Sequence, residues 1–403
     1  MRLFAPSGAG KRNRLMLPPP PAAKANAGVA SNAHHVAIFL STLGLVRGGL
    51  EAIAANFARS LAQRNHKVSL VGGAFPGLTL PDEGANRGLH RLRMPVLPVT
   101  LSMALGTSPA AQARRLKLHS LSFVIACRVH PCARRLWAAA DVTLSFLEIE
   151  TVYLSRWRAA RNMPHVSYFP GLMDRRRIQK DQSHLRLAIS HMLATETTGL
   201  RIDGVVPPGI DGSWLKQPYK VRARVERLFF CGRLHATKGV WELLRIFAAL
   251  VQERSDLHLR LAGDGPLRRQ LQGWVARSGL QDKVTFLGAI SSEDVYLELA
   301  SADLFLFPTH YESFGVAVLE AQAAGVPVVC SNMPIMKETV GKSALLLPPG
   351  DVGRWVEGLQ SLLDDQPARQ RLSQAGRQNA ARYTWERSTS LLEDYLLDVR
   401  ARV

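Results

Sequence analysis

Residues 304–330 read LFLFPTHYESFGVAVLEAQAAGVPVVC. The first four are apolar and lie between Asp303 and Pro308, the pattern of a short strand buried on both faces. A helical pattern begins near Gly315 and runs to Ala324. Gly325 suits the left-handed position just past a helix, and Pro327 prevents continuation. Val326–Cys330 is then the next strand. Strand, polar loop, helix, strand is the unit of a parallel sheet covered by helices.

Working outward, the same alternation fills the C-terminal half. Strands are expected at Leu228–Cys231, Leu257–Ala262, Val284–Leu287, Leu304–Phe307, Val326–Cys330 and Ala344–Leu347, with helices between them. That makes a doubly wound domain. The N-terminal half repeats the pattern with strands at His35–Leu40, Val68–Gly72, Asp141–Phe146 and His165–Phe169, and a helix at Leu50–Arg64. Pro207-Pro208 marks a linker, and Tyr383–Arg400 is one amphipathic helix opened by Thr384. The fold class is therefore α/β, with two doubly wound, Rossmann-like parallel-sheet domains. The expected divisions are a disordered basic tail at 1–33, an N-terminal domain at 34–207, a C-terminal domain at 208–382, and a last helix at 383–403.

Two such domains agree with the length of 403 residues. No window is long and apolar enough for a membrane-spanning helix. Met1–Ala33 carry Lys and Arg without acids, and Leu15–Leu17 is too brief for the apolar core of a secretory signal. The four cysteines form no CxxC pair and no zinc spacing, which fits free thiols in a reducing cytosol. Net charge is +19, unevenly spread: residues 1–200 hold 26 Lys and Arg against 9 Asp and Glu, residues 201–403 hold 25 against 23. The basic half is expected to face an anionic partner. Nucleic acid is disfavoured because no recognition motif or aromatic platform accompanies the charge. An anionic membrane surface fits better, since the basic residues Arg114, Arg115 and Lys117 share a helical segment, Ala111–Cys127, with Leu118, Leu121, Phe123, Val124 and Ile125. Arg175–Arg177 add to the same charge.

Doubly wound sheets bind ligands at the carboxyl ends of their strands. The loops there carry the candidate chemistry. Gly232-Arg233 and Lys238-Gly239 place two cations between a strand and a helix, suited to a pyrophosphate. Glu312 lies in the loop before the helix at Gly315, and Glu320 one to two turns inside it. Both carboxylates are able to accept hydrogen bonds from hydroxyls. The helix start offers free amides and a positive dipole end to a phosphate, and Gly315 lets the backbone come close. Gly263 sits in the turn GDGP, and the backbone at Leu287 ends the third strand. In the N-terminal half, Ser41–Gly49 contains three glycines, as suits close phosphate approach or tight strand–helix packing.

Together RGGLE at 47–51, FFCGRLHATKG at 229–239, LAGDGP at 261–266, VTFLG at 284–288, ESFGVAVLE at 312–320 and YTWER at 383–387 resemble, in order, the GT-B-fold retaining glycosyltransferases of family 4, the glycosyl transferases group 1 type. The resemblance covers residues 35–403. It implies that the two domains face a cleft and that the last helix crosses back onto the N-terminal domain. It implies a nucleotide-sugar donor with UDP, GDP or ADP as carrier, and no metal or other cofactor. Arg233 and Lys238 would bind the diphosphate. Glu312 would meet hydroxyls of the transferred sugar, and Glu320 the ribose. Amides at Phe314, Gly315 and Val316 would meet sugar and phosphate, with Gly48 and Gly49 closing over the diphosphate. One position departs from the family: where many members have a Phe-His-Gly segment, this chain reads Tyr168-Phe-Pro-Gly171. Pro170 thus stands in place of a histidine, and His165, His184 and His191 are read as structural or surface residues.

The expected activity is transfer of a hexose-type sugar, with retention, to a glycan or lipid-linked acceptor in surface-polysaccharide or glycolipid assembly. The expected location is the cytoplasm, including the inner face of its membrane. Two other readings share the fold: a nucleotide-sugar epimerase and a non-catalytic nucleotide-sugar-binding protein.

Overall fold

The computed structural model describes residues 33–42, 49–74, 89–95, 109–159, 161–171, 178–196 and 200–403. Residues 1–32 of the expected tail, Gly44, Arg47, Gly48 and Arg175–Arg177 lie outside these segments.

The described chain forms two all-parallel sheets. The first comprises β1 (His35–Leu40), β2 (Lys67–Ala74), β3 (Leu89–Pro95), β4 (Val142–Ser145), β5 (His165–Phe169), β6 (Leu185–Ala188) and β7 (Gly204–Val205), in the spatial order β3-β2-β1-β4-β5-β6-β7. The second comprises β8 (Arg227–Cys231), β9 (His258–Ala262), β10 (Val284–Gly288), β11 (Leu304–Phe307), β12 (Val328–Ser331) and β13 (Leu345–Leu347), in the order β10-β9-β8-β11-β12-β13. Each order reverses once, between β1 and β4 and between β8 and β11. These are the topological switch points of the GT-B architecture's two Rossmann-like halves, where a crevice opens at the strands' carboxyl ends.

Three strands of the first sheet were not anticipated from sequence. β3 (LHRLRMP) buries Met94 while His90, Arg91 and Arg93 are exposed, so an edge strand reads as a polar segment. β6 (LRLA) is interrupted by Arg186 and β7 is two residues long, so neither presents an apolar run that the sequence reveals.

Alternation along β1 shows how the first sheet is covered. Val36, Ile38 and Leu40 join the apolar cluster that includes Phe57 and Leu61 of the helix Gly49–Gln63. Ala37 and Phe39 point the other way, to Phe123, Ala126 and Trp137 on the helices Pro109–Val129 and Pro131–Ala139. Strands apolar on both faces need helices on both, which is why this sheet is all parallel.

The last helix, Trp385–Arg402, packs against the first domain. Thr384 caps it by accepting from the Arg387 amide. The Trp385 ring meets Phe57 edge-on at 5.4 Å, and Glu393 pairs with Arg64 at 2.6 Å and with His66 at 2.7 Å. The crossing segment is held at its root, where the Ile210 amide donates to Tyr383 O at 2.7 Å and the Trp385 amide to Ile210 O at 3.2 Å. Among the described residues, no helix is long and apolar enough to cross a membrane.

Candidate functional site

The loops leaving β8 and β11 flank the switch point of the second sheet, and they bring the sequence candidates together. Lys238 ends a short 3-10 turn, Ala236–Lys238, that His235 caps through the Thr237 amide. The turn is tied to the neighbouring loop, because His310 N donates to Thr237 O at 2.8 Å and Thr309 Oγ1 donates to the same oxygen at 3.0 Å. Lys238 Nζ then reaches Glu312 Oε2 at 2.6 Å, with Tyr311 O 3.3 Å away. Both side chains are largely enclosed, at 19% and 15% exposure, so the pair is less screened than one at the surface. The second Glu312 oxygen accepts from the Ser313 amide at 3.0 Å.

Arg233 stands at the mouth of the same loop. Its side chain is exposed, and its guanidinium has no partner among the described residues. A free bidentate donor beside a Lys–carboxylate pair is an arrangement that accepts a phosphate.

The helix Val316–Ala323 begins directly after this pair. Gly315, at φ 96°, is its N-cap. A Cβ there would lie 2.6 Å from Met336 Cε, so the absent side chain leaves the first helical amides uncovered. Phe314 is buried beneath them, its carbonyl accepting from Thr339 Oγ1 at 2.6 Å and its ring edge-on to Tyr383 at 5.6 Å. Glu320 lies on the helix, and burial pushes its carboxyl up to about 7. Its carboxylate has no hydrogen-bonding partner among the described residues. It also sits near Cys231 at the end of β8, whose thiol is raised to about 12 by burial first and by Glu320 second.

Gly263 and Leu287 lie along the same edge. The Gly263 amide donates to Gly288 O at 2.7 Å, and a Cβ on Gly263 (φ 125°) would come within 2.0 Å of Gly232 O. That glycine holds the β8, β9 and β10 loops together. Leu287, half-buried, presents backbone at the end of β10.

The first domain contributes less. Gly48 lies outside the described residues. Gly49 opens its helix with nothing within 4 Å of an added Cβ. Pro170 follows β5, and the next residue, Gly171, faces Tyr311, with 3.8 Å between an added Cβ and the phenol oxygen. His165 is fully buried between Thr143 Oγ1 (2.7 Å) and Ser145 Oγ (3.0 Å), and burial holds its imidazole well below its ordinary value. His184 Nδ1 accepts from the His165 amide at 3.3 Å.

Sequence reading missed several residues here. Tyr311 reaches toward the opposite domain, His310 Nε2 meets Glu242 Oε1 at 3.3 Å, and Glu338 accepts amides from the first domain. At the other switch point, the Ser41 amide donates to Glu150 Oε1 at 3.0 Å and Thr42 Oγ1 to Glu51 Oε1 at 2.6 Å. Glu51 falls within RGGLE, whereas Glu150, Glu242 and Glu338 sit on helices with no recognisable spacing, so only the three-dimensional contact singles them out.

Comparison with known proteins agrees with this geometry. The family described as glycosyl transferases group 1 matches residues 215–379. A D-inositol 3-phosphate glycosyltransferase of Pseudarthrobacter chlorophenolicus is 30% identical over 210 residues, which are 48% of this chain and 50% of that protein. The chain thus spans about half the length of the curated relatives it matches. Among solved structures, the sucrose-phosphate synthase of Thermosynechococcus elongatus superposes with a TM-score of 0.76 at 18% identity, covering 92% of this chain and 100% of that one. HepE of Anabaena, in complex with UDP and glucose, gives 0.70 at 17% identity, covering 91% and 100%. At such identities the structural likeness speaks for the fold. The chain is therefore a GT-B-fold protein, and its residues 215–379 match the glycosyl transferases group 1 family.

Proposed function

We propose that the chain is a retaining glycosyltransferase, moving a hexose-type sugar from a nucleotide-sugar donor to a glycan or lipid-linked acceptor. The observation that carries this reading is the convergence of Lys238, Glu312, the Gly315 helix start and Glu320 on one switch point. The donor diphosphate would lie on the helix start, with Arg233 and Lys238 neutralising the charge that develops as the sugar leaves. Two cations and oriented amides supply that stabilisation without a metal in this reading. Glu312 would accept from sugar hydroxyls and Glu320 from the ribose. In the transfer step, the bond from the anomeric carbon to the leaving phosphate breaks while the acceptor oxygen bonds on the same face. The acceptor proton passes to the leaving phosphate. Positioning and charge stabilisation then account for most of the rate.

Support for an acidic membrane surface as partner comes from the flank of the first domain. Ile125 and Val129 are 53% and 67% exposed on adjacent turns of one helix. Arg128 stacks over Trp157 at 5.4 Å, and Arg134, Arg135 and Arg161 line the adjoining open groove. Apolar side chains among clustered cations suit anionic headgroups, and that docking fits a membrane-attached acceptor in surface-glycan assembly.

A thermal-shift panel of UDP-, GDP- and ADP-sugars, repeated with Glu320→Ala, tests the donor half. A donor at 100-fold excess over its dissociation constant stabilises by roughly 2.7 kcal/mol. Absence of a shift with every donor would sink the reading, and isomerisation of the sugar in place of transfer would redirect it to an epimerase.

A further inference from the structure

The Glu338 carboxylate bridges the two domains. Its Oε1 accepts from the His191 amide and its Oε2 from the Met192 amide, both at 2.7 Å. Those amides open the short helix His191–Glu196, which follows β6 in the first domain. Glu338 belongs to the helix Pro334–Val340, which follows β12 in the second. Both hydrogen bonds are charge-assisted, and two of them fix orientation as well as distance.

The helix that carries Glu338 is also locked onto the start of the site helix. Thr339, the next residue, donates to Phe314 O at 2.6 Å, and Asn379 Nδ2 donates to Thr339 O at 2.9 Å. Met336, fully buried, occupies the space a Cβ on Gly315 would fill. A continuous path of direct contacts thus runs from the His191 and Met192 amides through Glu338 and Thr339 to the Phe314–Gly315 peptide.

We propose that Glu338 is a positioning residue: it holds the first domain in register with the Phe314–Gly315 peptide, so that an acceptor on one wall meets a donor on the other. This rests on the reading of Phe314–Val316 as the donor site. Glu338 itself touches no substrate. Its removal lets the domains separate, while Lys238, Glu312, the Gly315 helix start and Glu320 on the second domain stay in place.

Three variants separate this role from plain stabilisation. Glu338→Ala removes the acceptor. His191→Pro removes one donating N–H from the other side, and proline is tolerated at a first helical position. Glu338→Gln keeps one acceptor oxygen. Solution scattering of the unliganded protein reads the domain arrangement without any substrate: the radius of gyration should rise in Glu338→Ala and less in Glu338→Gln. Transfer kinetics should show a loss of tenfold or more in kcat/KM for Glu338→Ala and for His191→Pro. UDP affinity should stay within threefold, and the double variant should be no worse than Glu338→Ala alone, because both remove one interaction. An unchanged radius of gyration overturns the proposal whatever the activity is. So do losses that multiply in the double variant, or a lower melting temperature with unaltered kcat/KM. A wild-type protein that binds no nucleotide sugar, yet opens on loss of Glu338, defeats the transferase reading and leaves the positioning role standing.

Discussion

Lys238 and Glu312 meet at 2.6 Å although 74 residues separate them, because the strands that deliver them, β8 and β11, are neighbours at the reversal of the second sheet. A diphosphate entering beside Arg233 must therefore share Lys238 with a carboxylate already bound to it. In the proposed reading the donor's negative charge would compete with Glu312 for the ammonium, and the freed carboxylate would turn to the sugar hydroxyls. Glu312→Gln should bind UDP as tightly as wild type or more tightly, while single-turnover transfer slows at least 100-fold. Calorimetry and rapid-quench kinetics measure the two. Weaker UDP binding in the variant would contradict the competition.

Lys238→Ala should lose turnover by about 10²–10³, the range for removing one preorganised charge-stabilising donor. Lys238→Arg should recover little, since a planar fork does not replace a compact ammonium at an enclosed carboxylate. Steady-state kinetics with saturating donor is the measurement.

Burial raises the Glu320 carboxyl to about 7, well above its ordinary 4.5, and this has a sign for stability and for binding. The folded chain holds a proton that the unfolded chain releases, so stability falls as pH rises from about 4.5 to about 7 and is level above that. Glu320→Gln should remove this slope and stabilise the unliganded protein at pH 8 by about 1–3 kcal/mol. In the proposed reading ribose hydroxyls would donate to the ionised form, so wild-type donor affinity should strengthen through the same window, and Glu320→Gln should bind donor weakly at every pH. Melting curves and calorimetry between pH 5 and 8 test both signs.

Gly315→Ala should cost about 1–3 kcal/mol, since alanine resists the left-handed conformation and its methyl meets Met336. Adding Met336→Ala should relieve the crowding without restoring wild-type stability, because the backbone strain remains. Denaturant unfolding of the two variants shows whether this ordering holds.

The double variant Arg134→Glu/Arg135→Glu should abolish recovery with anionic vesicles in flotation at low salt and leave donor binding unchanged. Equal recovery of wild type with neutral and anionic vesicles would end the membrane proposal.

Local physical chemistry was enough to read much of this protein from its residues. Largely apolar stretches of four to six residues, bounded by polar residues, Gly or Pro, mark β1, β8, β9, β11 and β12. Gly325 and Thr384 mark the ends of helices, and the resulting alternation allows only a parallel, doubly wound arrangement. The loops at the strands' carboxyl ends follow from that arrangement, so Arg233, Lys238, Glu312 and Glu320 were legible as candidates. Pairing between distant segments is not written in local periodicity. The tertiary structure alone decided that β8 lies beside β11 and so joins Lys238 to Glu312, that Glu338 reaches His191 across 147 residues, and that burial shifts the Glu320 carboxyl. It also decided that β3, β6 and β7 are strands, because each owes its conformation to the neighbour it pairs with more than to its own side chains.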